Sequence, residues 1–326
     1  MKTDWLTNSW YRPSLISQLL RPISWLYRCI TWIRRQAYRY GLLRQYKLMV
    51  PVIVVGNISV GGSGKTPFVI WLSQYLQSQG WRPGIISRGY GGKAQHYPCK
   101  VGPESLACEV GDEPLLLHQR TGFPVVVAPD RVAAGRQLLA ENACNVIITD
   151  DGLQHYRLKR DLEIVIIDAK RGLGNQLCLP AGPLREPLSR LKTVDFTVFH
   201  GEPDPERLTM QLRIERAIQL QNHRMVKTLS EFAETPVYAV AGIGHPQRFF
   251  EQLQQSGLTI IPHAFDDHHA YTETDFKFAK SYPILMTEKD AVKCQAFATQ
   301  NMWYVPAQAE LSPALGPAID KKLREL

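Results

Sequence analysis

Residues 56–67 read Gly-Asn-Ile-Ser-Val-Gly-Gly-Ser-Gly-Lys-Thr-Pro and follow the apolar run Val52–Val55. A buried strand that enters a glycine-rich loop, then Lys65-Thr66, then a helix-like segment from Pro67 to about Gln79, is the setting of a phosphate-binding P-loop. In such a loop the backbone N–H groups and the helix N-terminus point at the anion, and small residues let the chain approach it. Asn57, Gly61, Gly62, Ser63, Gly64, Lys65 and Thr66 are therefore the candidate nucleotide contacts. Lys65 would reach the β/γ-phosphates and the Thr66 hydroxyl would ligate Mg²⁺. One position departs from the usual G-x-x-x-x-G-K-[ST] pattern, because Ser59 stands where the first glycine is expected. A plain strand-to-helix turn is the alternative, but turn chemistry alone does not call for Gly-Lys-Thr after a β-branched strand.

Carboxylates supply the rest of the chemistry. Val146-Ile147-Ile148-Thr149-Asp150 is an apolar run ending in an acid, and Asp151 follows at once in Asp-Asp-Gly-Leu-Gln-His. A strand that delivers a carboxylate at its C-terminal edge can hold Mg²⁺, whereas an isolated Asp-Gly is a turn. Gly111-Asp112-Glu113-Pro114 starts a helix-like segment. Its acids either complement the helix dipole or, for Asp112, take the proton of an acceptor hydroxyl. Asp266-Asp267-His268-His269 does not have metal-ligand spacing; a histidine that orients a carboxylate fits it better. His155 is a further candidate, with an ordinary structural histidine as the alternative. Arg88 and Arg185 lie in Gly/Pro-punctuated loops and can bind anionic groups bidentately, or be surface arginines.

These groups need a scaffold. Strands are expected at Val52–Val55, Gly84–Ser87, Pro124–Ala128, Val146–Thr149, Ile164–Ile167 and Val194–Phe199, with helices at Glu113–Arg120 and Arg131–Glu141. Alternation of this kind predicts an α/β fold with a mostly parallel sheet and helices on both faces, like a P-loop NTPase. The stretch Gly201–Arg207 is polar and proline-bearing. We place there the boundary between a P-loop domain, 49–205, and a smaller C-terminal α/β lobe, 206–326. The lobe reads as strand Met210–Leu220, strand Val237–Ala241, helix Gln247–Gln255, strand Leu258–Ile261, helix Glu273–Lys280, and strands Ile284–Met286 and Trp303–Val305.

The charge is uneven. Residues 1–48 hold nine Lys/Arg, Lys2 among them, and one acid, Asp4, giving +8, the net charge of the whole 326-residue chain. The remaining body is neutral, which argues against a nucleic-acid enzyme. From Pro22 to about Tyr40, Ile23, Leu26, Tyr27, Ile30, Ile33 and Ala37 follow helical spacing, with Arg28, Arg35 and Arg39 largely on another side. Trp5, Trp10, Trp25 and Trp32 are four of the seven tryptophans. A basic, aromatic amphipathic helix suits an anionic membrane surface; packing on the protein's own core is the alternative. No apolar run approaches the ~18 residues that span a bilayer, and the N-terminus lacks the pattern of a signal peptide. The six cysteines form no C-x-x-C pair, which favours reduced thiols in a cytosolic compartment.

The ordered set Gly56-Asn57…Gly61-Gly62-Ser63-Gly64-Lys65-Thr66-Pro67, Ser87-Arg88-Gly89-Tyr90-Gly91, Val110-Gly111-Asp112-Glu113-Pro114, Asp150-Asp151-Gly152-Leu153-Gln154-His155, Leu179–Pro187 and Asp267-His268-His269-Ala270-Tyr271-Thr272 resembles the tetraacyldisaccharide 4′-kinases of lipid A assembly over nearly the whole chain. That family's P-loop has the same Gly-Asn…Gly-Gly-x-Gly-Lys-Thr-Pro form, which accounts for Ser59. The resemblance implies an ATP- and Mg²⁺-dependent kinase acting on the 4′-hydroxyl of an acylated glucosamine disaccharide 1-phosphate. It implies a peripheral enzyme on the cytoplasmic face of the bacterial inner membrane, with two α/β lobes and no evident obligate protein partner. It makes Lys65 and Asp112 catalytic and gives Asp112 a histidine partner, His268 or His269, of which we take His268. Thr66, Asp150 and Asp151 become the metal side. Arg88, Gly89, Tyr90, Gln154, His155 and Arg185 become the substrate side. A membrane-bound P-loop ATPase or switch is the competing reading.

Overall fold

The computed structural model describes residues 4–12, 14–279 and 281–326. Lys2, one of the nine basic residues of the N-terminal segment, and Lys280, the expected end of a helix, lie outside the described residues. The chain forms two compact units, each drawn from separate stretches: 1–88, 128–211 and 311–326 in the first, and 89–127 with 212–310 in the second. One crossing lies at 211/212, and residues 89–127, which the composition groups with the P-loop, belong to the second unit. The crossing at 88/89 falls in the glycine-rich turn Arg88-Gly89-Tyr90-Gly91-Gly92, and those at 127/128 and 310/311 lie near Pro129 and Pro313, short marks that also occur within each unit.

The first unit is a parallel sheet. Its strands lie in the order Leu208–Arg213, Phe196–His200, Leu162–Asp168, Val52–Gly56, Val146–Asp150, Pro83–Ser87, and each neighbouring pair is parallel. The central strands are buried at every residue and mostly apolar, as strands covered on both faces require; Glu163, Thr149, Asp150 and Asp168 are the polar exceptions. Val52–Gly56 is flanked by Leu162–Asp168 and Val146–Asp150, so the P-loop and Asp150 leave the sheet at the same edge. The helix Lys65–Ser78 buries Phe68, Val69, Leu72 and Leu76. Burying each such side chain is worth roughly 2 kcal/mol, which seats the helix that ends the P-loop.

The second unit has a six-stranded sheet in the order Val226–Thr228, Arg216–Gln219, Met302–Val305, Ile284–Thr287, Val237–Ala241, Ile260–Ala264. The last four are mutually parallel and the first two are antiparallel additions. An antiparallel pair, Cys99–Val101 with Val125–Val127, brackets the helices Ala107–Val110 and Asp112–Thr121. Leu229, Phe232, Phe249, Phe250, Leu253 and Trp303 form one core cluster of this unit.

Two expected elements differ. Met210–Leu220 is not one strand: Leu208–Arg213 and Arg216–Gln219 are separate, and the second pairs in the other sheet. The alternation of polar and apolar residues runs through both and hides the break. Glu273–Lys280 is not an α-helix. Only a 3-10 turn, Glu273–Phe276, forms, capped by Thr272 and Asp275, and a capping box nucleates a turn without guaranteeing that it propagates. The helix Glu288–Cys294 was not expected at all.

The N-terminal helix spans Arg21–Arg39. Its contact line with the rest of the first unit is polar. Ser24 Oγ donates to Cys178 O at 2.7 Å, Tyr27 OH to Arg185 O at 3.1 Å and Arg35 Nη2 to Thr193 Oγ1 at 2.9 Å. Ile23, Trp25, Leu26, Ile30, Trp32 and Ile33 are each more than half exposed. Tyr27 therefore belongs to the inward line and not to the apolar stripe, and packing of that stripe on the protein's own core is not what the helix does.

Candidate active site

In the first unit the P-loop is held from inside. Asn57 is fully buried, and its Nδ2 donates to Gly61 O and Ser63 Oγ, both at 3.3 Å. The segment Leu179–Pro187 braces the loop's other side: Val60 N–H donates to Pro183 O at 2.9 Å and Arg185 N–H to Ile58 O at 2.7 Å. Ser59 forms a bridge with Leu184, an extended conformation that needs no glycine. That is the physical reason Ser59 can stand where the common pattern has Gly.

Gly64 precedes the helix with φ +88, a left-handed conformation that glycine adopts without strain. A side chain there would also come within 2.8 Å of His200 Nδ1. His200 is buried at the end of its strand, with Nδ1 3.1 Å from Ser63 O. Nothing in the sequence around His200 marks it as part of the loop, because its role depends on strand order.

Lys65 opens the helix and its Nζ lies 3.4 Å from Asp151 Oδ1. Arg185 Nη1 donates to Asp151 Oδ2 at 3.1 Å. Burial works to raise the Asp151 carboxyl, but Lys65 and Arg185 outweigh it and hold it below the ordinary carboxylate range. Asp150, at the strand end, is almost fully buried. Gln154 Nε2 donates to Asn57 O at 3.1 Å and to Glu186 Oε1 at 3.0 Å, so Gln154 ties the acidic turn to the start of the loop. His155 Nε2 stands 3.8 Å from Asp130 Oδ1. Burial and then the Arg131 charge hold His155 down, to about 4, so it stays neutral in the physiological range.

Arg131 was not singled out from the sequence. It is buried at the start of the helix Arg131–Glu141, its Nη1 donating to Ala128 O and Pro129 O at 3.2 and 3.3 Å. Burial lowers it to about 10 against the pull of Asp150 and Asp151. An arginine after the N-cap Asp130 looks like any helix start, and only burial beside two carboxylates sets it apart.

In the second unit, Asp112 is the first residue of the helix Asp112–Thr121. Gly111 has φ +91, and a Cβ there would meet Tyr90 O at 2.7 Å. The two glycine motifs thus lock together, with Tyr90 brought against His268 edge-on at 5.0 Å between ring centroids. Asp112 Oδ1 accepts from Glu113 N–H at 2.9 Å. Asp112 Oδ2 lies 2.9 Å from His268 Nδ1. His269 is turned instead toward Asp275, 3.3 Å away, so the histidine partner of Asp112 is His268. Burial would raise Asp112, but the bond from His268 and the Lys289 charge lower it. The bond to Asp112 raises His268, against burial and Lys289. A buried carboxylate kept ionised beside a histidine of raised pKa can accept a proton.

The structure thus gathers Asn57, Ser63, Lys65, Asp151, Gln154 and Arg185 in one unit, and Tyr90, Asp112 and His268 in the other. Arg88 is exposed.

A family profile described as tetraacyldisaccharide-1-P 4′-kinase matches residues 16–324. The chain belongs to this family. It is 55% identical to the tetraacyldisaccharide 4′-kinase of Methylobacillus flagellatus over 99% of this chain and 96% of that one. It is 50% identical to that of Nitrosococcus oceani, over 97% and 93% of the two chains. Its fold matches the crystal structure of an "apo" form of LpxK from Aquifex aeolicus in complex with ATP, with a TM-score of 0.78 and 31% identity over 95% of this chain and 100% of that one. The two sets of residues just described are therefore those of a 4′-kinase family member.

Proposed function

We propose that the protein transfers the γ-phosphoryl group of ATP to the 4′-hydroxyl of a tetraacylated glucosamine disaccharide 1-phosphate. Membership in the 4′-kinase family carries the reading. The intact Gly64-Lys65-Thr66 turn and the Asp112–His268 pair support it. Phosphoryl transfer asks for positioning and charge neutralisation more than for a nucleophilic side chain. Lys65 serves the phosphates, Asp112 takes the proton of the 4′-hydroxyl, and His268 orients Asp112. Arg88, Gly89, Tyr90, Gln154, His155 and Arg185 serve the substrate, of which Arg185 also steadies Asp151.

Mg²⁺ fits the oxygen donors Thr66, Asp150 and Asp151. Among the described residues no group of three or more His, Cys, Asp or Glu side chains is placed to hold a metal. A cation resting on one or two carboxylates plus nucleotide phosphates is the habit of Mg²⁺. When bound it would neutralise phosphate charge.

The protein sits peripherally on the cytoplasmic face of an inner membrane, in this reading, on the exposed apolar face of Arg21–Arg39. No helix among the described residues is long and apolar enough to cross a membrane. Trp25 and Trp32 suit the headgroup layer, and Arg28 and Arg39 suit anionic lipid.

Incubation with Mg²⁺, γ-labelled ATP and the acylated disaccharide 1-phosphate in detergent micelles tests the proposal. Label on the lipid supports it. ATP hydrolysis without label on the lipid contradicts it and favours a membrane-bound switch.

A further inference from the structure

Lys289 stands at the wrong end of its helix. It is the second residue of Glu288–Cys294, where the helix dipole disfavours a cation. What compensates is a ring of acceptors. Its Nζ lies 3.1 Å from Glu113 Oε1, 3.5 Å from Asp267 Oδ1 and 4.0 Å from Asp112 Oδ2. It also lies 3.3 Å from His268 Nε2. Three carboxylates and an imidazole nitrogen thus converge on one mostly buried ammonium.

The contact with His268 decides a proton. A lysine ammonium has three donors and no acceptor. Asp267 Oδ1 also faces that ring's Nε2, but at 3.8 Å it is beyond hydrogen-bond reach, so the nitrogen beside the ammonium is the unprotonated one, and the ring's proton then resides on Nδ1, where it is donated to Asp112 Oδ2. A second proton on Nε2 would set N–H against the ammonium. His268 also holds φ +61, a strained conformation for a residue other than glycine.

We propose that Lys289 is a positioning residue for the transfer reaction: it fixes the Nδ1–H tautomer of His268 and keeps Asp112 ionised and aimed. This assignment rests on the kinase reading only for its consequence on turnover; the tautomer is a property of the protein alone. The charged groups acting on the pair are Asp267 on the loop of His268 and Lys289 and Lys293 on the third element, and Glu113, on the helix of Asp112, holds Lys289. Tyr90 closes the remaining side with its ring. Lys289 is thus the cation that touches both members of the pair.

The test uses the full chain, with Lys289→Met to remove the charge at similar volume and Lys289→Arg to restore it. Ring ¹⁵N shifts of His268, assigned by their loss in His268→Gln, are recorded against pH. Expected for wild type is the Nδ1–H tautomer at neutral pH. Expected for Lys289→Met is protonation of Nε2 at a higher pH than in wild type. Its kcat should fall on the order of tenfold, the acid limb of its pH–rate profile should move to higher pH, and KM for ATP should stay put. Lys289→Arg should recover most of the rate. Unchanged ring shifts and an unchanged pH profile in a folded Lys289→Met would overturn the proposal. If Lys289→Met does not fold, wild-type shifts of an Nε2–H tautomer would overturn it equally. A wild type with the Nδ1–H tautomer and no lipid phosphorylation would contradict the kinase reading and leave the tautomer assignment standing.

Discussion

Asp112 Oδ2 and His268 Nδ1 are 2.9 Å apart although 156 residues separate them in the chain. The carboxylate is nearly excluded from water while the imidazole is partly open. Such a pair titrates as a unit, and its direction is readable. His268 gains a proton above its ordinary range, because of Asp112, while Asp112 stays ionised below its own.

The first prediction concerns pH. Because the folded pKa of His268 is raised, its neutral form is lost as pH falls through that raised value. Transfer should decline on the acid side at a pH above that of an unperturbed histidine. Asp112→Asn should lower kcat on the order of 10²-fold or more with KM for ATP unchanged, measured by steady-state label transfer.

Lys65→Ala should act on the nucleotide. It removes the proposed phosphate contact and one of the two cations facing Asp151. We expect transfer to fall by roughly 10²–10³-fold and ATP binding by calorimetry to weaken. Unchanged binding and turnover would remove Lys65 from the site.

Gly64→Ala should fail locally rather than globally. The φ of +88 is strained for alanine and the new Cβ would press on His200. The strain is about 1–3 kcal/mol. A lowered melting temperature with lost ATP affinity is the expected result, whereas Gly62→Ala, with open space around it, should be milder.

A buried ion network sets a stability expectation. Arg190 is 1% exposed and pairs with Glu163 and with Glu186, the latter at 3.1 Å. Glu186 in turn bonds Gln154, which reaches the P-loop. Arg190→Ala takes the shared cation from two buried carboxylates; because Glu163 keeps Arg160 and Glu186 keeps Gln154 and Tyr156, it should cost about 2–3 kcal/mol in urea unfolding.

For the proposed lipid-binding face of Arg21–Arg39, Leu26→Glu with Ile30→Glu should abolish co-sedimentation with anionic vesicles. Both side chains are more than half exposed, so stability should change by no more than ~0.5 kcal/mol. Binding of the unaltered protein should weaken with added salt.

Much of this was legible in the residues. The parallel sheet, the P-loop and the helix Arg131–Glu141 follow from local pattern, since buried strands, glycine turns and an N-cap each leave a short-range mark. His268 follows from the ordered motif set, and the structure adds its contact with Asp112. Three features had no such mark. His200 and Arg131 look ordinary until strand order and burial place them. Lys289 sits in Thr-Glu-Lys-Asp, a cap-like segment whose lysine has meaning only beside Glu113, Asp267 and His268. The unit boundaries at 88/89 and 127/128 were also hidden, because a glycine turn and a nearby proline mark them no differently from loops inside a unit.

In the proposed reaction Lys65 and Asp112 both serve phosphoryl transfer to a lipid hydroxyl. Single-turnover reactions of ATP-loaded wild type and Asp112→Asn with the acylated disaccharide 1-phosphate, scoring lipid label and free phosphate separately, test it most directly. The account predicts label on the 4′-oxygen with wild type, and equal ATP binding but slow transfer with Asp112→Asn. Equal transfer by both proteins, or free phosphate with no labelled lipid, would contradict it.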